Sequence, residues 1–228
     1  MVTKLLTWLG VGAVAASTIP LKEEGKTEPK RITAAVQTTS ANEQRWYRAK
    51  VRPERVNEAT NAANSILKHK SRYEQVQEST GVPWFLVGVL HYREASLSFS
   101  KHLHEGSPLT GRTKWIPKGR PLKGNPPFTW YESAVDAMAY DKFIGVNPWT
   151  LGVLLEKNER YNGLGYRNKG LASPYLFGAT TEQQKGKYVA DGKFDRNVMD
   201  KQLGTVAIMK VLENKGHVKI TKDRRISL

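Results

Sequence analysis

The stretch that most constrains this chain is residues 82–96. Trp84, Val87, Leu90 and His91 recur at helical spacing along one stripe, and Phe85, Leu86 and Val89 widen that stripe. A helix so apolar on nearly every side should be buried. Ser79 or Thr80 offers a cap for it, and Pro83 suits its first turn. Arg93 and Glu94 then arrive at its C-terminal end, directly before a polar, glycine-containing segment. A carboxylate is a poor local choice there, because that end of a helix carries partial negative charge. Local conflicts of this kind mark places where a residue is kept for function.

The chain has 228 residues, enough for one domain of ordinary size with extensions. It contains no cysteine, which excludes a disulfide framework and thiolate metal sites. Its formal net charge of +15 predicts attraction to polyanions such as nucleic acid, anionic lipid or bacterial wall polymers. The lysines and arginines are spread along the chain, with no aromatic RNP motif, zinc finger or basic zipper, so no specific nucleic acid is expected.

Residues 1–19 place Lys4 before an apolar run and small residues at Val14, Ala15 and Ala16, the form of an export signal or signal-anchor. That predicts export to the periplasm or cell wall, with membrane association through the N-terminus before release. Residues 20–41 are rich in Lys, Glu, Thr, Pro and Ser and read as a flexible linker. The folded domain is expected over residues 42–217, followed by a frayed basic tail at 218–228.

Within the domain, Val56, Ala59, Ala63, Ile66, Leu67 and Tyr73 predict one long helix, or two joined near His69. After Glu94, the frequent Gly and Pro of residues 96–130 exclude helix over most of the span, and residues 113–116 alternate enough for one strand of a small hairpin. Long loops in compact domains are commonly functional. Thr129 predicts the cap of the next helix; further helices are expected over 148–160 and 197–215, with 167–195 irregular. The expected class is mainly α (α+β), with a small β-hairpin or irregular insertion after the central helix.

Three constellations could carry chemistry. Glu94, at the end of a buried helix and facing a polar loop, suits a general acid, because partial burial favours the protonated carboxyl that glycoside cleavage needs. The bland alternative is a surface cap paired with Arg93 or a lysine. His91 with His102 and His104 could instead make an open zinc site for a peptidase or amidase, although the spacing matches no zinc signature and His91 lies on an apolar helix. Tyr161-Asn162-Gly163 is, on its own, ordinary helix-stop material.

The motifs His91-Tyr92-Arg93-Glu94-Ala95-Ser96, His102-Leu103-His104-Glu105-Gly106-Ser107 and Gly124-Asn125-Pro126-Pro127-Phe128-Thr129-Trp130 together resemble a family of phage and bacterial lysozyme-like proteins, often endolysins. Tyr161 to Tyr166, Ser173-Pro174-Tyr175 and Gly186-Lys187-Tyr188 extend the likeness over about residues 42–215. The resemblance implies a lysozyme-like helical domain, Glu94 as general acid, and Tyr161 and Asn162 lining a sugar site. Family members often carry Asp where this chain has Glu105 or Ser107, so Glu105, Ser107, Thr110 and Thr113 are candidates for a second role. Glu94, Glu105 and Thr110 are thus the expected catalytic groups. His102, His104, Ser107, Thr113, Tyr161, Asn162 and Tyr166 are the expected substrate contacts, with no metal and no cofactor. The expected activity is that of a monomeric glycosidase, a muramidase or a lytic transglycosylase, cutting bacterial peptidoglycan between N-acetylmuramic acid and N-acetylglucosamine. The competing classes are the zinc enzyme and a non-enzymatic basic module binding cell wall or nucleic acid.

Overall fold

The computed structural model describes residues 41–190 and 192–222. The signal and linker readings fall on residues outside this range, apart from Ala41, which opens the first helix. The described residues form a mainly helical domain with eight α-helices and one small antiparallel hairpin. The helices are α1 (41–48), α2 (Val56–Lys68), α3 (Lys70–Thr80), α4 (Trp84–Ala95), α5 (Trp130–Tyr140), α6 (Leu151–Asn162), α7 (Pro174–Phe177) and α8 (Thr205–Asn214). None of them is long and apolar enough to cross a membrane.

Helix α4 is the axis of this arrangement. Ten of its residues are buried, and it packs against α2, α3, α6 and α8. Its start departs from the expected cap: Ser79 and Thr80 belong to the last turn of α3, which ends at left-handed Gly81. The backbone N–H of Trp84 is satisfied instead by Gln77 Oε1 at 2.7 Å, a side chain one turn further back. Gly88 lets α4 approach α2 closely, since a Cβ there would stand 2.6 Å from Ile66 Cγ2. The long helical pattern before α4 does split at His69, where α2 ends and α3 begins.

Helix α5 opens with a full capping box between Thr129 and Glu132. Helix α8 is shorter than its apolar pattern suggests. Residues 200–204 are committed to anchoring: the Leu203 carbonyl accepts from Arg93 and Asp200 faces Arg93 and Lys187. The Gly204 N–H donates to the Gly178 carbonyl. A helix could not continue through those tertiary bonds.

The strand expected at residues 113–116 is absent. Thr113 turns the chain back on itself, its N–H donating to the Arg120 carbonyl at 2.8 Å and its carbonyl accepting from Gly119. Directly after α4 the chain forms a tight loop closed by an isolated bridge between Lys101 and Pro108. The hairpin lies much later, as β1 (Lys187–Ala190) and β2 (Lys193–Asp195), with Tyr188 opposite Phe194. The tail is held through residue 222, where Ile220 is buried and Leu151 N–H donates to the Thr221 carbonyl at 2.8 Å.

His91 is fully buried among Tyr73, Phe99 and Trp130. The Trp130 indole can only donate, and its Nε1 lies 3.1 Å from His91 Nε2. The Ser98 carbonyl lies at the same distance from Nε2, and the Tyr73 oxygen is 3.1 Å from Nδ1. Burial pushes the His91 pKa from 6.5 down to about 4, outweighing the Ser98 carbonyl nearby. Between those two values the unfolded chain binds more protons than the folded one, so stability falls as pH drops through that window. Thermal or denaturant unfolding from pH 6.5 to 4 should therefore lose up to about 1.4 kcal/mol per pH unit through this group. A His91→Phe variant, though less stable at neutral pH, should show a flatter acid slope; an unchanged slope would contradict the assignment.

Candidate active site

Helix α4 ends in the left-handed region at Ser96 and Leu97, with φ of 50° and 61°, which turns the chain sharply away behind Glu94. The loop that follows folds back onto this end. His102 N–H donates to the Ser107 carbonyl at 2.7 Å and Leu109 N–H to the Ser100 carbonyl at 3.0 Å. At the tip, Gly106 has φ of +82° and lies so close that a Cβ would meet the Glu94 carbonyl oxygen at 2.4 Å. The loop thereby sets Glu105 beside the end of the central helix.

Between helix end and loop is a small open pocket of about 210 Å³, lined by Arg93, Glu94, Ala95, Ser96, Lys101, Glu105, Gly106 and Gln202. Glu94 is half-buried, and its Oε1 accepts from the Tyr175 hydroxyl at 2.8 Å. Tyr175 is buried on α7. Burial, and then the charge of Glu94, push its phenol well above its ordinary range, so it remains a proton-bearing donor to the carboxylate. Arg93 lies over the Tyr175 ring at 4.5 Å and donates to the Leu203 carbonyl at 2.9 Å. Gln202 donates to the Arg93 carbonyl at 3.3 Å. These contacts pin the last turn of α4 to α7 and to the segment before α8.

Glu105 is also half-buried. Its Oε1 accepts from the Ser107 hydroxyl, while its Oε2 is shielded from solvent and has no hydrogen-bond partner in the protein. A buried acceptor without a partner is costly in a folded protein and suits a group reserved for a water or substrate.

Of the residues singled out from sequence, Glu94 and Glu105 are brought into one pocket, and Ser107 reaches it through Glu105. Thr110 is exposed and does not line the pocket. His102 and His104 are fully buried and tie the loop to α5. The Gly111 carbonyl lies 2.7 Å from His102 Nε2 and requires a donor there, so His102 Nδ1 accepts from Ser133 at 2.8 Å. His104 Nε2–H donates to Asp136 at 2.9 Å. Arg120 clamps the same carboxylate through two bonds of 2.9 and 2.6 Å. Burial raises the Asp136 pKa, but the His104 and Arg120 bonds more than offset this and hold it below its usual range. Thr113 is buried and bonds to Pro117 and Arg120 within its own turn.

Tyr161 is buried and donates to the Leu103 carbonyl at 2.8 Å, supporting the loop from below, and Asn162 is buried beside it on α6. Tyr166 packs with Tyr188 and Phe194 on the hairpin. The zinc grouping is not formed: His91 bonds into the aromatic cluster and His102 and His104 into the Ser133–Asp136 network. Among the described residues no group of three or more His, Cys, Asp or Glu could hold a metal ion.

Tyr175, Lys101 and Gln202 are site residues that sequence reasoning passed over. Tyr175 stood in the Ser173-Pro174-Tyr175 motif of the resemblance; Lys101 and Gln202 carried no local signal. Comparison of the chain with protein-family models, curated proteins and solved structures finds no match.

Gly106→Ala adds left-handed strain to a collision with the Glu94 backbone and should cost about 2–4 kcal/mol in denaturant unfolding. Gly119→Ala, at φ of +81° but in open space, should cost only about 1–2 kcal/mol. Equal costs at the two sites would mean that the loop does not press on the helix end as described.

Proposed function

We propose that this protein is a peptidoglycan-degrading glycosidase of lysozyme-like fold, cleaving between N-acetylmuramic acid and N-acetylglucosamine with Glu94 as general acid. The observation that carries this reading is the setting of Glu94: it ends a buried helix, takes a hydrogen bond from the buried Tyr175 phenol, and shares a polar pocket with Glu105. In this reading the Glu94 carboxyl passes its proton to the leaving glycosidic oxygen as the C–O bond breaks. Tyr175 orients the carboxyl. The open oxygen of Glu105 takes a proton from an attacking water or faces the positive charge that develops on the sugar. The substrate lies outside the cytoplasm, which agrees with the export-type sequence of residues 1–19, and the net charge of +15 favours an anionic wall.

Glu94→Gln keeps the shape and removes the acid. Activity on purified peptidoglycan should fall by about 10²–10⁴-fold while the fold is retained by circular dichroism. Undiminished wall clearance by this variant would refute the assignment. Mass spectrometry of the digest distinguishes the routes open to the pocket: reducing muramic ends indicate water attack assisted by Glu105, and anhydro-muramic ends indicate a single-acid route through the sugar's own hydroxyl. Cut peptides with intact glycan would overturn the glycosidase reading.

A further inference from the structure

The segment from Gly106 to Tyr131 contains no Asp or Glu and carries Arg112, Lys114, Lys118, Arg120 and Lys123. Part of it is drawn into a closed loop. Arg112 Nη2 donates to the Gly124 carbonyl at 2.8 Å, and the Thr113 and Arg120 backbones are joined at 2.8 Å. Two buried prolines, Pro117 and Pro121, and the buried Thr113 form its inner side. Its outer side is unusual for a soluble surface: Trp115 is 56% exposed, Ile116 42% and Leu122 68%, the first and last being more exposed than any other large apolar side chain among the described residues. Lys114, Lys118 and Lys123 of the same loop are exposed, and none is in an ion pair among the described residues. Of the two arginines, Arg120 is taken up by Asp136, and Arg112 bonds the Gly124 carbonyl and lies over the Phe128 ring.

We propose that loop 112–124 is a docking surface for an anionic lipid membrane. The occupant follows from the combination of groups. A soluble polyanion would satisfy the lysines but leave Trp115, Ile116 and Leu122 in water. An apolar protein groove would take those three side chains but strand three unpaired ammonium groups. A bilayer interface bearing acidic headgroups accepts both, with the indole and aliphatic side chains entering at headgroup level and the lysines facing phosphate. The loop is anchored for this purpose, because the Arg120–Asp136–His104 network ties its base to α5. This inference does not depend on the glycosidase reading.

The test is co-sedimentation of the full-length protein with vesicles of phosphatidylcholine alone and of phosphatidylcholine with phosphatidylglycerol. The expected result is preferential binding to the anionic vesicles, weakened by salt. Trp115→Ser with Leu122→Ser should lower the partition coefficient about tenfold or more, since the lost apolar burial is that of two large side chains. Lys114→Gln with Lys118→Gln and Lys123→Gln should remove the preference for anionic lipid. All these positions are exposed, so melting temperatures should match the parent. Equal binding by parent and serine variant, which would place attachment in another segment such as residues 1–19, overturns the proposal. So does binding of the parent to a soluble polyanion such as heparin without binding to anionic vesicles.

Discussion

The interaction on which the rest depends is the enclosure of α4. A helix apolar on nearly every face leaves no side for solvent, so other elements must cover it all round. Helices α2, α3, α6 and α8 do so over its length, and their own amphipathic stripes follow from that duty. The one part that cannot be covered by a further helix is the end, where the chain must leave. There the 100–109 loop folds back as a lid on the last turn, with Gly106 in contact with the Glu94 carbonyl. The pocket exists because a buried helix has to end, and a glutamate occupies that end.

Keeping a loop of this composition in place requires polar anchors, since it has few apolar side chains to bury. The histidines supply them. His102 and His104 are fully buried and join the loop to Ser133 and Asp136 on α5, while His91 joins α4 to Tyr73 and Trp130. The ring nitrogens of all three have polar partners inside the protein, which favours a single arrangement over a mobile one. Tyr161 adds support from α6 through the Leu103 carbonyl. His102, His104 and Tyr161 thus stand behind the pocket, in the network that holds the loop bearing Glu105.

How much of this was legible in the sequence depends on which forces are local. The enclosed helix, the Thr129 cap, the break at His69 and the termination after Asn162 all come from periodicity and capping within a few residues of each other. The misplaced hairpin has a different cause. The alternation over residues 113–116 looked strand-like, yet Trp115 and Ile116 are exposed and Thr113 pairs with Arg120 in a turn. The true hairpin carried a cue in Gly192, whose φ of +67° suits a tight turn, within a segment read as irregular. For the site, Glu94 could be singled out because its charge conflicts with its local setting. Tyr175 and Gln202 could not, because each becomes relevant only through a contact about a hundred residues away in the chain.

The pocket and the exposed loop are consecutive parts of one stretch of chain, and α5 supports both. Ser133 and Asp136 stand one turn apart on that helix; the first anchors His102 beside the pocket, and the second anchors His104 and the Arg120 base of the exposed loop. A surface that engages Trp115 and Leu122 would therefore hold the pocket at a definite orientation, since no flexible hinge separates the two anchors. The charges divide in the same way. The carboxylates of Glu94 and Glu105 stand at the pocket beside Arg93 and Lys101, while the chain beyond Gly106 is free of acid until Glu132. On the proposed docking, the basic, apolar loop meets the negative interface while the two carboxylates stay at the pocket.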